Sequence, residues 1–369
     1  MINRILLFLA ASLLTVSGLP AQSERPSIDT FQWVDASELT ILGKGWEDTA
    51  ELYDRLPARA EKIVREEVWN LSRHSSGIRI LFRTDAVAIA ARWTVRSERM
   101  ALPHMPATGV SGLDLYVQVG SDWKWLGTGR PGESPTSEAL LAWDLEPGTR
   151  QYLLYLPLYN GTRSLQIGVP DDGSSIEAVP NQSLTTLLFY GTSITHGGCA
   201  SRPGMSYPAI IGRRLDVDFI NLGFSGNGKT EPEMARLLAE LDPAIYILDS
   251  LPNLSPTEVK ERIGPFVEII RKKHPETPIV LVENIVYTDA FLVQYRRERY
   301  QTSNVFLRNF YETAVSAGDR NLYYVRADEL LGADGDGTVD GTHPTDLGFV
   351  RMADTLAPVI QSILAKNKR

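Results

Sequence analysis

The stretch from Leu184 to Gly198 constrains this chain more than any other: an apolar run leads into Gly191-Thr192-Ser193 and closes with paired glycines. A short apolar run bounded by glycines predicts a buried parallel strand. Ser193 then falls at the carboxyl end of that strand, where open α/β sheets bind their ligands. We therefore take Ser193 as a candidate nucleophile. The alternative is a Ser/Thr-rich turn that only closes a core strand.

Length and composition bound the class of protein. A chain of 369 residues suggests about two domains, and 43% hydrophobic with 22% charged residues describes a globular fold. The net charge of -8 and the lack of a long basic run argue against a nucleic-acid partner.

The N-terminus has the features of a secretory signal. Residues 1–23 combine Arg4, the apolar run Ile5 to Ala10 and small residues at Ala21 and Ser23. No cysteine follows the apolar run, so a lipoprotein anchor is not supported, and no later segment suggests a membrane anchor. We expect an exported protein, periplasmic or secreted.

Cys199 is the only cysteine, so an intrachain disulfide is impossible. Its place shortly after Ser193 allows it to be read as a thiol nucleophile. A small structural residue is the favoured interpretation, because a lone exported thiol risks oxidation.

The first half of the chain, residues 24–180, predicts an antiparallel β-sandwich with a jelly-roll-like form. Short strand-like runs follow one another with Gly- and Asn-containing turns and no long helical period. The runs are Gly77 to Phe82, Ala86 to Trp93, Leu113 to Val119, Trp123 to Leu126, Gln151 to Leu156 and Ser164 to Val169. The polar stretch from Asp171 to Ser175 and then Pro180 predict the boundary.

The second half, residues 181–369, alternates strand and helix. The predicted strands are Leu184 to Tyr190, Asp218 to Gly223, Ala244 to Asp249, Pro278 to Ile285 and Leu322 to Val325. The predicted helices are Tyr207 to Leu215, Glu231 to Leu241, Pro256 to Lys273, Thr302 to Ala317 and Asp346 to Ala365. Such alternation implies a parallel sheet with helices on both faces.

Polar residues follow several of these strands and would converge on one crevice. Asp340 and His343 are three apart on a Gly-containing turn, so the carboxylate can hold one imidazole nitrogen while the other points outward. With Ser193 they complete a possible Ser-His-Asp triad. Asp334 and Asp336 leave a calcium loop as an alternative, although the full ligand run is missing.

Attack on an ester creates an oxyanion that needs hydrogen-bond donors. The Ser193 N–H, the Gly226 N–H in the glycine-rich loop Asn221 to Gly228, and the Asn253 side chain are the candidate donors.

These residues together resemble the SGNH (GDSL-type) hydrolase superfamily, whose ordered blocks match Gly191 to Thr195, Gly226, Asn253 and Asp340 to Pro344. The resemblance implies a flavodoxin-like three-layer α/β/α domain. It also implies Ser193 as nucleophile, His343 and Asp340 as its partners, and Ser193, Gly226 and Asn253 as oxyanion donors. Thr192 replaces the usual aspartate beside the serine, and the Asn253 block departs from the common pattern.

The first half is similar to a β-rich module that precedes the catalytic domain in a bacterial subgroup of these hydrolases. Its Gly-x-Asp-Leu-Tyr signature matches Gly112 to Tyr116. That subgroup is associated with carbohydrate deacylation. Asp114 and Tyr116 share one face if the segment is a strand, so we expect them to meet the catalytic half or its substrate.

The resulting expectation is a serine esterase that removes small acyl groups, acetyl foremost, from carbohydrates or other small esters without a metal or cofactor. A lipid-directed esterase, lysophospholipase or thioesterase is the enzymatic alternative. A carbohydrate-binding protein with a degenerate site is the alternative that is not an enzyme.

Overall fold

The structure is a computed structural model that describes residues 24–132, 134–180 and 185–367. The predicted signal peptide, residues 1–23, lies outside the described residues. So does the start of the first predicted catalytic strand, at Leu184.

The N-terminal half folds as antiparallel strands in a sandwich. One sheet has the order β1-β9-β4-β7, and the other has the order β10-β3-β8-β5-β6 with β2 also paired to β3. The strands are β1 Phe31–Asp35, β2 Thr40–Leu42, β3 Arg79–Thr84, β4 Ile89–Val95, β5 Leu113–Val119, β6 Asp122–Gly129, β7 Thr136–Ala142, β8 Arg150–Tyr155, β9 Thr162–Pro170 and β10 Ile176–Ala178. Side chains from both sheets, such as Trp93, Leu115 and Ile167, pack into one buried core.

The two-residue period of a strand decides which side chains face which half of the molecule. On β3, Ile80 and Phe82 point into the sandwich core. Leu81, on the opposite face, joins a second core that includes Phe189 and Tyr207 of the catalytic half. The outer face of this sheet is therefore buried against the second domain.

The C-terminal half contains a parallel sheet with the order β12-β11-β13-β14-β15, which is the flavodoxin-like arrangement. Its strands are β11 Thr186–Gly191, β12 Asp218–Gly223, β13 Ile245–Asp249, β14 Ile279–Val282 and β15 Leu322–Val325. Gly191 lies opposite both Gly223 and Asp249, so three neighbouring strands end at the same level. The loops that follow them start from one edge of the sheet.

Helices flank this sheet, and shorter ones occur in the first half. They are α1 Glu66–Ser72, α2 Ala107–Val110, α3 Ser193–His196, α4 Tyr207–Leu215, α5 Pro232–Leu238, α6 Pro256–Lys273, α7 Gln294–Ser316 and α8 Asp346–Asn367. Helix α6 begins with a capping box, in which the Ser255 side chain accepts from Glu258 N–H and Glu258 bonds back to the cap.

Helix α8 is the candidate membrane span among the described residues, by length and composition alone. Its apolar residues Leu356, Ile360 and Ile363 are buried in the protein core. That packing is typical of a core helix.

One segment of the N-terminal half packs against the C-terminal α/β half. Trp46, Leu56 and Val68 belong to a core cluster that also contains Leu222 and Phe224. The segment around α1 thus covers one face of the catalytic domain.

The predicted fold class, a flavodoxin-like α/β/α domain after an antiparallel β-rich module, is confirmed. Several short or edge strands, among them β1, β2 and β7, were not predicted. Helix α7 begins at Gln294, before the predicted start at Thr302. The prediction missed the first turns because Arg296, Arg297 and Glu298 form no apolar stripe that periodicity could detect.

Candidate active site

Ser193 is held in a tight turn directly after β11. A side chain at Gly191 would overlap Thr195 Oγ1 and the Asp249 carbonyl, so the turn needs a glycine there. Thr192 caps α3, since its hydroxyl accepts from Ile194 N–H at 3.2 Å. Ser193 opens this helix, and only 7% of the residue is exposed.

His343 reaches Ser193 from a turn near the end of the chain. Its Nε2 lies 2.8 Å from Ser193 Oγ, and its Nδ1 lies 2.7 Å from Asp340 Oδ2. An ionised carboxylate can only accept, so Nδ1 carries the proton and Nε2 is left as a base toward the serine. The structure therefore brings together the three residues predicted as a triad.

Backbone bonds fix Asp340 in the orientation that this contact needs. Its Oδ1 accepts from the N–H groups of Thr342 at 3.0 Å and His343 at 2.8 Å. Partial burial opposes ionisation of the carboxyl, but the bonds from His343 and Thr342 outweigh it and lower the pKa of Asp340. Asp340 thus stays ionised beside the imidazole.

The glycine-rich loop lies directly against the end of the nucleophile strand. Phe224 N–H donates to Gly191 O at 3.0 Å, and a side chain at Gly228 would overlap that same carbonyl. Gly226 has φ +69, a left-handed conformation that glycine adopts at little cost. Within the described residues, the N–H groups of Ser193 and Gly226 meet no acceptor.

Asn253 ends the short 3-10 helix Leu251–Asn253 that follows β13. Its amide nitrogen donates to Phe224 O at 3.2 Å. An amide nitrogen carries two hydrogens, so one remains for a ligand. All three predicted oxyanion donors are thus on segments that contact one another.

Arg55, which sequence reasoning missed, supports the glycine-rich loop from below. Its buried guanidinium donates to the carbonyls of Gly223 at 2.7 Å and Asn221 at 3.1 Å. Its carbon lies 5.0 Å from the centroid of the Phe224 ring. A single arginine in an irregular segment gives no sequence signal of this contact.

Asp114 and Tyr116 were expected to contact either the catalytic half or its substrate, and the structure shows the first of these contacts. Asp114 is fully buried, and its Oδ2 accepts from Arg202 Nη1 at 2.7 Å and from Gly204 N–H at 2.9 Å. Arg202 also donates to the Tyr116 hydroxyl at 2.5 Å. Both side chains therefore hold the segment after the nucleophile helix, and a direct contact with substrate stays a prediction.

Cys199 is buried, and burial together with nearby Asp340 raises the pKa of its thiol to about 12. A thiol that stays protonated is a poor nucleophile, so the structural interpretation of this cysteine is favoured.

The acidic loop that precedes Asp340 contains Asp334, which is paired with an arginine. Asp334 forms hydrogen bonds of 2.7 and 2.5 Å with the Arg351 guanidinium. Across the part of the chain that the structure describes, no group of three or more His, Cys, Asp or Glu residues is placed to hold a metal ion. Asp334 is thus paired with an arginine side chain in this structure.

Comparison with known proteins places the chain. Residues 185–361 match the model of the GDSL-like lipase/acylhydrolase family, and residues 31–175 match the N-terminal GxDLY module of SGNH-type esterases. A protein assigned as a GDSL-like lipase from Bacteroides ovatus is 38% identical, with 91% of this chain and 98% of the other covered and a TM-score of 0.86. The chain belongs to the GDSL-like lipase/acylhydrolase family. It is a carboxylic ester hydrolase with the esterase N-terminal module.

More distant solved structures share the fold. A salicylyl-acyltransferase from a tetracycline biosynthetic pathway is 20% identical over 92% of this chain and 98% of its own, with a TM-score of 0.73. A family two carbohydrate esterase from Clostridium thermocellum, solved with cellohexaose, is 17% identical over 79% and 93%, with a TM-score of 0.56. No match is found among curated proteins.

Proposed function

We propose that this member of the GDSL-like family is an exported serine esterase that removes small acyl groups, acetyl foremost, from carbohydrates. The observation that carries the proposal is the continuous contact from Ser193 Oγ to His343 Nε2 at 2.8 Å and from His343 Nδ1 to Asp340 at 2.7 Å. This is the geometry of an activated serine.

In the proposed reaction, Ser193 Oγ attacks the ester carbonyl carbon while its proton passes to His343 Nε2. The resulting oxyanion accepts from the N–H groups of Ser193 and Gly226 and from the Asn253 amide. Collapse expels the alcohol, which takes the proton from His343, and leaves an acyl group on Ser193. Water then attacks the acyl-enzyme with His343 as base, which releases the carboxylic acid and restores the serine.

Two similarities support a sugar as the alcohol part of the substrate. The chain carries the GxDLY module, and it shares its fold with a carbohydrate esterase that was solved with cellohexaose. A long acyl chain would need a long apolar pocket beside the serine, so the acyl chain length is decided by comparing acetyl with octanoyl esters.

The test compares purified wild-type protein with Ser193→Ala on acetylated xylan, p-nitrophenyl acetate and p-nitrophenyl octanoate. We expect release of acetate from xylan and faster turnover of the acetyl ester than of the octanoyl ester. Ser193→Ala should lose several orders of magnitude in kcat, since the covalent route is gone. Mass spectrometry of rapidly quenched wild-type enzyme should detect an acetyl group on the peptide that contains Ser193.

Other outcomes identify the alternatives. Preference for octanoate would favour a lipid-directed esterase. Binding of xylan without turnover of any ester would indicate a degenerate site, and near-wild-type activity in Ser193→Ala would refute Ser193 as nucleophile.

A further inference from the structure

A second histidine lies beside the catalytic one, and it comes from the β-rich module. The ring centroids of His104 and His343 are 5.8 Å apart, with the planes inclined by 39°. His104 is exposed, and among the described residues neither of its ring nitrogens meets a hydrogen-bond partner. By contrast, His74 and His196 are largely or fully buried, and His274 contacts the Ala239 carbonyl at 2.9 Å.

The fold holds His104 in place through the turn that carries it. Leu102 and Met105 exchange backbone hydrogen bonds of 3.0 and 3.1 Å across this turn. The Met105 side chain is only 2% exposed, so it anchors the turn in the core shared by both halves. The backbone that carries the His104 side chain is therefore fixed at this position.

Helix α2, which follows the turn, is fixed to the segment after the nucleophile. Thr108 Oγ1 donates to Ser201 O at 2.6 Å. A side chain at Gly109 would overlap the Ala200 carbonyl, so the two backbones are in close contact. The position of His104 relative to Ser193 is therefore set by contacts between the halves.

His104 cannot replace a member of the proposed triad in this arrangement. Asp340 occupies Nδ1 of His343, and Ser193 occupies Nε2. The free nitrogens of His104 are thus available to a molecule bound over the site. A neutral imidazole has one donor and one acceptor nitrogen, and this pair suits a hydroxyl group.

We propose that His104 binds the alcohol part of the substrate, by a hydrogen bond to a sugar hydroxyl next to the ester. The inference rests on the proposed function. In that reaction His343 Nε2 delivers a proton to the departing alcohol, so the sugar lies on the His343 side of the serine. His104 is on that side, whereas Gly226 and Asn253 lie on the segments that serve the carbonyl oxygen. The β-rich module then contributes a specificity-determining residue to the site.

The test measures kcat and KM of wild type, His104→Ala and His104→Gln on an acetylated xylo-oligosaccharide and on p-nitrophenyl acetate. Loss of one hydrogen bond predicts that His104→Ala lowers kcat/KM on the sugar by about tenfold, mainly through KM. The effect on p-nitrophenyl acetate should be smaller, because its alcohol part has no neighbouring hydroxyl. His104→Gln should recover part of the sugar activity, since the amide also donates and accepts.

Lys124→Ala is the matched control, because Lys124 is an exposed basic residue on β6 of the same module, with 61% of its side chain accessible. Lys124→Ala should leave kcat and KM unchanged on both substrates. Circular dichroism melting of each variant checks that the fold persists.

Equal losses on both substrates, or an unchanged value on the sugar, would overturn the assignment of His104 while leaving the proposed function intact. Wild-type enzyme that hydrolyses aryl acetate but no acetylated sugar would instead refute the carbohydrate function, and the role of His104 with it.

Discussion

Arg202 Nη1 lies 2.7 Å from Asp114 Oδ2, and this ion pair joins the β-rich module to the segment that follows the nucleophile helix. Asp114 is fully buried, and Arg202 keeps 22% of its side chain exposed. Burial raises the pKa of Asp114, although Arg202 and the Gly204 N–H both favour its ionised form. The Asp-Leu-Tyr motif thus works at the interface between the two halves.

Removal of Arg202 should destabilise the protein, because it leaves the Asp114 carboxylate buried without its cation. We expect Arg202→Ala to lower the free energy of unfolding by about 3 kcal/mol, as for other broken buried pairs. Urea denaturation followed by tryptophan fluorescence measures the change. Exposed Lys124→Ala is the control, with an expected change of less than about 0.5 kcal/mol. Equal values for the two variants would show that the ion pair does not hold the interface.

Asn253 should act on the transition state more than on substrate binding. If its free N–H stabilises the oxyanion, Asn253→Ala lowers kcat by about 10²–10³ with a smaller change in KM. Steady-state kinetics on p-nitrophenyl acetate measures both constants. Asn309→Ala, on the exposed side of α7, is the matched control. A change restricted to KM would reassign Asn253 to substrate binding.

Gly228 should tolerate no side chain. A Cβ there would overlap the Gly191 carbonyl, so an alanine must push the glycine-rich loop away from the nucleophile strand. We expect Gly228→Ala to lower kcat/KM more than tenfold, because oxyanion donors must hold their positions closely. Gly264 in α6 meets only Phe310 at ordinary contact distance. Gly264→Ala should therefore keep full activity, and full activity in both variants would contradict the proposed loop geometry.

Local sequence patterns were sufficient to predict which residues lie at the strand ends. Ser193 follows an apolar run, and Asp340 and His343 share one turn, so short-range spacing carries the information. The parallel sheet then brings these distant segments to one edge, and this follows from strand-helix alternation. The same alternation placed the helices Tyr207–Leu215 and Pro256–Lys273 at their observed bounds.

Residues that act across the domain interface gave no such signal. Arg55 and His104 lie in irregular segments, and their roles depend on which surface those segments cover. Trp46 and Val68 precede most of the sandwich strands, yet they pack with the catalytic core. Sequence order assigns these residues to the first module, and only tertiary packing shows what they contact.

A buried acid lies beneath the nucleophile helix. Asp249, at the end of β13, is fully buried, and its Oδ2 accepts from the Tyr207 hydroxyl at 3.0 Å and from Thr195 at 3.2 Å. Within the described residues its Oδ1 meets no partner. Burial raises the pKa of Asp249 to about 7, and the two hydroxyls only partly oppose the shift.

Asp249 should therefore make the stability of the fold depend on pH near neutrality. In the unfolded chain this carboxyl has an ordinary pKa of about 4. Because its pKa is higher in the folded state, the contribution of Asp249 to the stability of the fold is fully present below about pH 4, and it is lost as the pH rises through about 7. Asp249→Asn copies the protonated form and does not ionise. The free energy of unfolding of Asp249→Asn, relative to that of wild type, should rise by up to about 4 kcal/mol between about pH 4 and pH 7. Above about pH 7 this difference should stay constant. Urea denaturation of both proteins across this range measures the difference, and a constant offset at every pH would show that Asp249 does not titrate in the folded protein.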